Sequence, residues 1–151
     1  MAERDLEARI RVLEDIEAIK KLQHRYWRCI TKGLWDEVAD CFTQDGVADF
    51  GPDRKFQGKN AIVRFYKELM APVFSLHVPQ GHSPEIEITS ETTARGTWQV
   101  DMSNVEARTN KASRVGAMYD DVYAKEKGEW KIKSKKTIYL YRQAVEMQEF
   151  K

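Results

Sequence analysis

The periodicity of the sequence changes at one stretch, Leu76-His77-Val78-Pro79-Gln80-Gly81-His82-Ser83-Pro84-Glu85-Ile86. Before it, apolar residues recur every three or four positions, which is typical of helices; after it they recur every second position, which is typical of strands. The stretch also holds two of the three histidines of the chain. Histidine is the usual proton carrier in proteins because its ordinary pKa lies nearest neutrality. The stretch therefore predicts a general acid or base where the two halves meet; the alternative is a Pro/Gly-rich start of a strand whose histidines only pack or meet solvent.

Apolar spacing before this stretch predicts three helices, at Leu6 to about Thr31, about Trp35 to Phe42, and Gly58 to Met70. The third helix is predicted to place Leu69 on its apolar face. Residues 43–46 are predicted to form a turn, followed by a short strand at residues 47–50. Leu6, Ile10 and Leu13 continue a weaker apolar stripe at the front of the first helix. We therefore interpret residues 1–12 as a helical N-terminal extension that packs on another subunit.

Alternation after the stretch predicts strands at Glu85 to Ile88, Ala94 to Met102, Val115 to Ala124, and Trp130 to Tyr141. Residues 103–111 are predicted to be a loop or strand end, and residues 143–151 have no predicted partner. The alternation with Trp130 and Ile132 predicts a solvated outer face for six lysines, Lys125, Lys127, Lys131, Lys133, Lys135 and Lys136. Three helices followed by a curved antiparallel or mixed sheet is an α+β pattern. Such a sheet wrapped around a long helix forms a cone whose open end is a pocket.

The composition excludes several classes of protein. A chain of 151 residues fits a single domain, and a net charge of +1 gives no basic surface for nucleic acid. No apolar run reaches membrane-spanning length, and the charged opening residues do not predict a signal peptide. Cys29 and Cys41 are interpreted as reduced core residues, which favours the cytoplasm. The spacing of Cys and His predicts no metal site, and no phosphate-binding loop is found, so we expect no cofactor.

Several segments together resemble the SnoaL-like proteins of the NTF2-like superfamily. They are Asp15-Ile16-Glu17-Ala18-Ile19-Lys20, Arg25-Tyr26-Trp27-Arg28-Cys29, Leu34-Trp35-Asp36-Glu37, Phe56-Gln57-Gly58-Lys59, Gly81-His82-Ser83-Pro84-Glu85-Ile86 and Gly128-Glu129-Trp130-Lys131-Ile132. The similarity runs over about residues 13–142, and within the superfamily it is greatest to the bacterial bile acid 7α-dehydratases, with scytalone dehydratases more distant. The resemblance implies an NTF2-like cone, a small cyclic or aromatic substrate, and a homo-oligomer, either a trimer or a dimer.

The dehydratases of this superfamily use a tyrosine and an aspartate on the first helix, a histidine before the long strand, an aspartate on that strand and an arginine on the last strand. The resemblance places the tyrosine at Tyr26 and the histidine at His77. The other three positions depart from the pattern, with Thr31, Met102 and Tyr139 in place of the two aspartates and the arginine. A pocket with histidine-centred chemistry is therefore implied more strongly than the dehydration of bile acids.

These residues favour a cofactor-independent lyase that removes water or another small group from a cyclic or aromatic hydroxylated compound. His77 is the expected general base and acid, and Tyr26 is expected to donate a hydrogen bond to the developing oxyanion. His82 is the alternative base or an orienting partner, and Asp49 is the candidate replacement for the missing helix carboxylate. The candidate substrate-binding residues are Phe50, Trp98, Met102, Tyr119, Tyr139 and Thr31. The alternatives are a non-catalytic protein that binds an apolar ligand and an isomerase that moves a proton without losing a group.

Overall fold

The computed structural model describes residues 2–148, which form three helices and one mixed sheet. The helices are α1 (Ala2–Lys32), α2 (Trp35–Asp40) and α3 (Lys59–Arg64), and α3 continues as a π-helical turn at Phe65–Met70. The strands are β1 (Phe42–Asp49), β2 (Lys55–Gln57), β3 (Phe74–Ile88), β4 (Thr93–Glu106), β5 (Ala112–Glu126) and β6 (Glu129–Val145). Their order in the sheet is β2-β1-β6-β5-β4-β3; β1 and β6 are parallel and the other neighbours are antiparallel. The predicted α+β cone is confirmed.

The core lies between the rear half of α1 and the concave face of the sheet. Ile19, Tyr26 and Ile30 recur along α1 and are all buried. The front of α1 is different, since Leu6 and Leu13 are 53% and 65% exposed. Helical spacing places them on one face, so the front of α1 presents an uncovered apolar stripe among the described residues.

Strand β3 begins at Phe74, so both histidines lie within it, and the prediction that the strand begins near Glu85 is wrong. Two prolines are tolerated because β3 is the edge strand of the sheet, where one side needs no ladder hydrogen bonds. Pro84 also lies in an irregularity of the β3–β4 register between His82 and Glu85.

Strand β1 begins before the point predicted. Residues 43–46 belong to β1 instead of forming a turn before it. Their pairing is irregular, because the β1–β6 register shifts between Phe42 and Val47. The Asp45-Gly46 pair that suggested a turn therefore marks a bulge within the strand.

Strand β6 changes the phase of its alternation, which overturns the predicted solvent exposure of Lys135. Lys127, Lys133 and Lys136 are exposed as predicted. The β5–β6 register shifts between Ile132 and Ser134, so an extra residue at Lys133 reverses which side chains face the core. Ile132 faces inward before the shift, and Lys135 and Thr137 do so after it. Lys135 is fully buried, and Lys131 is only 8% exposed.

Two smaller predictions also fail. Leu69 is 56% exposed, because the π-helical turn after Arg64 rotates its side chain out of the three- and four-residue repeat. The last strand runs to Val145 and pairs with β5, so residues 143–145 do have a partner. Residues 149–151 of the predicted tail lie outside the described residues.

Candidate active site

A cavity of about 400 Å³ lies between α1, the π-helical turn and the concave face of the sheet. This volume is within the usual range for small-molecule sites. Most of the surface area that lines it is apolar, and seven lining residues have fully apolar side chains: Ile30, Phe50, Phe65, Met70, Phe74, Met102 and Val115. Its polar lining comes from Tyr26, Arg54, Tyr66, His77, Asn104, Tyr119, Thr137, Tyr139, Tyr141 and Arg142. Within residues 2–148, no aspartate or glutamate lines it.

His77 of β3 is paired with Asn104 of β4, directly across the two strands. The His77 Nδ1 lies 2.5 Å from the Asn104 Oδ1. Because an amide oxygen can only accept, Nδ1 carries the proton and Nε2 keeps its lone pair. The imidazole also stacks on the Phe74 ring, with centroids 5.4 Å apart. The hydrogen bond and the stacking hold the ring in one orientation and one tautomer.

The charge state of His77 suits a base. Burial lowers the pKa of the imidazole, and the hydrogen bond to Asn104 opposes this only in part. The ring is therefore neutral near pH 7, with Nε2 able to accept a proton. Asn104 orients the ring as a carboxylate would, but it adds no negative charge to stabilise the imidazolium.

Tyr26 and Tyr66 form a second polar group on the cavity wall. Their hydroxyl oxygens lie 2.5 Å apart, with one from α1 and the other from the π-helical turn. The Tyr66 ring stacks on Trp35, at 5.7 Å between centroids and 8° between planes. Burial raises the pKa of both tyrosines well above the ordinary value, so both stay protonated. One hydroxyl donates to the other, and the second keeps a proton that can be donated into the cavity.

A buried ion pair lies behind this wall. The Lys135 Nζ is 2.5 Å from the Asp121 Oδ2, and both side chains are fully buried. The same ammonium lies 3.9 Å from the centroid of the Tyr119 ring and 4.8 Å from that of Tyr26. Burial raises the pKa of Asp121 and lowers that of Lys135, and their mutual attraction opposes both shifts. The ammonium therefore makes cation–π contacts with two of the aromatic rings that line the cavity.

Six of the ten residues that we predicted for the site line this cavity: Tyr26, Phe50, His77, Met102, Tyr119 and Tyr139. Five of them converge because the inward positions of β3, β4, β5 and β6 face the inward stripe of α1, and Phe50 follows the end of β1. The other four residues lie elsewhere.

His82 and Asp49 lie outside the cavity. Five positions separate His77 from His82, and an odd separation in a strand puts two side chains on opposite faces. His82 is exposed, with its Nε2 3.0 Å from the Asp101 Oδ2. The Asp49 Oδ1 accepts a hydrogen bond at 3.0 Å from the backbone N–H of Gly51, so it closes the β1–β2 turn.

Trp98 and Thr31 are also turned away from the cavity. The Trp98 indole packs edge-on against Trp27 beneath α1, at 5.1 Å between ring centroids, and its Nε1 donates to the Tyr123 hydroxyl at 2.9 Å. Thr31 is exposed, and its hydroxyl donates to the backbone oxygen of Trp27 at 3.1 Å.

Sequence reasoning missed six polar lining residues: Arg54, Tyr66, Asn104, Thr137, Tyr141 and Arg142. A signal existed for Asn104, because it lies two positions beyond Met102 and continues the inward alternation of β4. Arg54 follows a tight turn, where nothing in the pattern indicates the direction of a side chain. Thr137 could not be placed without the register shift in β6.

The family of the chain follows from its sequence together with this geometry. A model of the SnoaL-like domain matches residues 11–136. The chain belongs to the SnoaL-like domain family. Within the described part of this SnoaL-like chain, no helix is both long and apolar enough to cross a membrane.

Solved structures of low sequence identity share the fold. The type 2 hexachlorocyclohexane dehydrochlorinase LinA is 16% identical, with a TM-score of 0.86 over 94% of this chain and 96% of that chain. A protein provisionally named scytalone dehydratase, from Novosphingobium aromaticivorans, is 18% identical, with a TM-score of 0.83 over 91% and 92%. A protein from the same organism, provisionally named aromatic ring hydroxylase, is 21% identical, with a TM-score of 0.79 over 88% and 94%. At these identities the likeness is one of fold.

Proposed function

We propose that this SnoaL-like protein is a cofactor-independent lyase, which eliminates water or another small group from a small cyclic or aromatic hydroxylated compound. The observation that carries the proposal is the neutral His77 imidazole, held by Asn104 with its Nε2 unprotonated in an apolar cavity. Fold neighbours named as a dehydrochlorinase and as a dehydratase support elimination as the reaction class.

His77 acts as the base in this proposal. Elimination requires removal of a proton from a carbon made acidic by a neighbouring carbonyl or phenol. The Nε2 of His77 accepts that proton, and the C–H bonding pair forms the new double bond as the leaving group departs. If that group leaves on the same face, the imidazolium returns the proton to it. The surrounding apolar walls exclude water, which would otherwise compete for the proton.

The hydroxyls of Tyr26 and Tyr66 stabilise the charge that develops during proton removal. Negative charge accumulates on the substrate oxygen as the carbon loses its proton, and a preorganised donor stabilises it more than water does. Both phenols stay protonated, so they serve as donors and not as bases.

A non-catalytic ligand-binding protein is the second candidate, and one observation favours it. No carboxylate among the described residues lines the cavity, so nothing there offsets the positive charge of a protonated His77. The same apolar walls would hold a ring-bearing ligand without any proton transfer.

The test is turnover of a panel of hydroxylated cyclic compounds, followed by mass spectrometry for loss of a small fragment. The resemblance to bile acid 7α-dehydratases places hydroxylated steroids in the panel. His77→Gln should lower turnover by about 10²-fold to 10⁴-fold. His82→Gln is the matched control, because His82 is exposed on the other face of the sheet, and it should leave turnover unchanged. Binding of a compound without elimination would favour the binding protein. Equal turnover by the two variants would remove His77 from the mechanism.

The uncovered stripe at the front of α1 supports assembly into a homo-oligomer, a trimer or alternatively a dimer. Leu6, Ile10 and Leu13 are 53%, 46% and 65% exposed. Light scattering of the protein and of a Leu6→Ser/Leu13→Ser variant should show a smaller mass for the variant.

We also propose a reducing compartment, the cytoplasm, as the location of the protein. Cys29 and Cys41 are both free and buried. Fractionation of the native cells should find the protein in the cytoplasmic fraction; recovery from an oxidising compartment would contradict this.

A further inference from the structure

The inner part of the cavity contains a buried hydroxyl that the protein leaves unsatisfied. Thr137 is 4% exposed and lines the cavity, and its Oγ1 has no hydrogen-bond partner among the described residues. The register shift in β6 turns this side chain inward, next to Tyr119 on the neighbouring strand. A buried polar group without a partner destabilises a fold, so such a group in a cavity wall indicates a polar atom on the ligand.

The mouth of the cavity carries a cation on a fixed backbone. The peptide N–H of Phe50 donates to the Arg54 carbonyl at 2.9 Å, and the Arg54 N–H donates to the Gly51 carbonyl at 3.1 Å. These bonds close the β1–β2 turn, and the Arg54 side chain after it lines the cavity. Its guanidinium carbon lies 5.9 Å from the centroid of the Phe65 ring.

The charge of Arg54 is available to a ligand. In the part of the chain that the structure describes, no carboxylate lies within ion-pair distance of Arg54. The second arginine of the lining, Arg142, is held by Glu106 at 2.8 Å. Arg54 and Tyr139 both line the cavity, and the charge of Arg54 opposes the rise that burial causes in the pKa of Tyr139.

We infer that the cavity takes a ring-bearing organic acid, with its carboxylate at Arg54 and a ring oxygen at Thr137, an inference that rests on the function proposed above. The apolar walls between these two groups accept the ring, and about 400 Å³ has room for a fused two-ring molecule. The guanidinium pairs with a carboxylate through two parallel hydrogen bonds, which a neutral amide cannot reproduce. The two polar groups at opposite depths also fix which end of the ligand enters first.

The experiment compares three rigid probes by titration calorimetry at low salt: 6-hydroxy-2-naphthoate, 6-hydroxy-2-naphthamide and 2-naphthoate. The protein should bind the hydroxy acid about 10-fold more tightly than the amide. Arg54→Met should remove that preference. Thr137→Val, which keeps the side-chain shape, should keep the preference for acid and lose the preference for 6-hydroxy-2-naphthoate over 2-naphthoate. Lys55→Met is the matched control, because Lys55 is an exposed cation next to Arg54 outside the lining, and it should keep both preferences.

Three results would overturn the inference: equal binding of acid and amide, an acid preference that survives Arg54→Met, or no binding of any probe. The same titrations in a His77→Gln background separate this inference from the lyase proposal. If the acid preference is intact but the unmodified protein shows no turnover, the lyase proposal is refuted and the inferred ligand class stands. Turnover of neutral compounds without any acid preference refutes the ligand class and keeps the lyase.

Discussion

Replacing Lys135 by methionine should destabilise the fold by about 3–5 kcal/mol, a large fraction of the roughly 5–15 kcal/mol that stabilises a typical domain. The ammonium is the only cation within ion-pair distance of Asp121 in the described residues, and both side chains are fully buried. After the substitution, the Asp121 carboxylate keeps one donor, the Tyr123 hydroxyl at 2.9 Å. Its other oxygen has no partner even in the unmodified protein. A nearly unpaired buried charge is the reason for the large cost.

The cost should depend on pH in a defined direction. Burial raises the pKa of Asp121, and Lys135 opposes that rise, so the variant has a still higher folded-state pKa. A carboxyl whose pKa is raised in the folded state destabilises that state progressively as the pH rises through the folded value. The penalty should therefore be larger at about pH 7.5 than at about pH 4.5, because the ionised fraction of Asp121 is smaller at the lower pH.

Urea unfolding followed by circular dichroism at the two pH values measures this penalty. Lys136→Met is the control, since Lys136 is exposed on the adjacent position, and it should change stability by less than about 0.5 kcal/mol. The double variant Lys135→Met/Asp121→Leu should recover most of the loss, because it removes both charges. A cost for Lys135→Met below about 1 kcal/mol, or one that does not change with pH, would refute the buried, charged pair.

Three further predictions concern the packing and the chemistry of the site. Gly81→Ala should lower the free energy of unfolding by about 1–3 kcal/mol in urea titrations, because its Cβ would overlap the Trp27 ring, which is 6% exposed; a neutral effect would contradict this packing. Asn104→Asp should raise the pKa of His77 by adding a negative charge, and so move the acid limb of the pH–rate profile upward; an unmoved limb would exclude His77 as the titrating base. Tyr26→Phe should lower kcat about 10-fold to 100-fold with little change in KM, measured by steady-state kinetics, and an effect on KM alone would assign Tyr26 to ground-state binding.

The periodicity of apolar residues was sufficient to predict the architecture, but not to predict which side chains of each strand face the core. The inward stripe of α1 and the alternation through Trp98, Val100 and Met102 were predicted correctly, since a side-chain period follows directly from backbone geometry. A β-bulge inserts one residue and reverses every later assignment in its strand. The bulge at Lys133 leaves no recognisable signal in the sequence, so Lys135 was assigned to the wrong face.

The sequence predicted the site residues that the family resemblance assigns to single positions. The resemblance to SnoaL-like dehydratases placed His77 and Tyr26, and both line the cavity. The partner of His77 could not be found by searching for a carboxylate, because an amide, Asn104, occupies the position opposite it. His82 was a candidate only through its nearness in sequence, and strand alternation turns it to the other face.

The assignment of His77 as the base is tested most directly by nitrogen NMR of ¹⁵N-histidine-labelled protein. The chain has three histidines, and His77→Gln identifies the signals of His77 by their loss. We predict a protonated Nδ1, an unprotonated Nε2 at neutral pH, and a titration midpoint below the ordinary value of about 6.5. A proton on Nε2 at neutral pH, or a midpoint at or above the ordinary value, would contradict the base that we assign to this site.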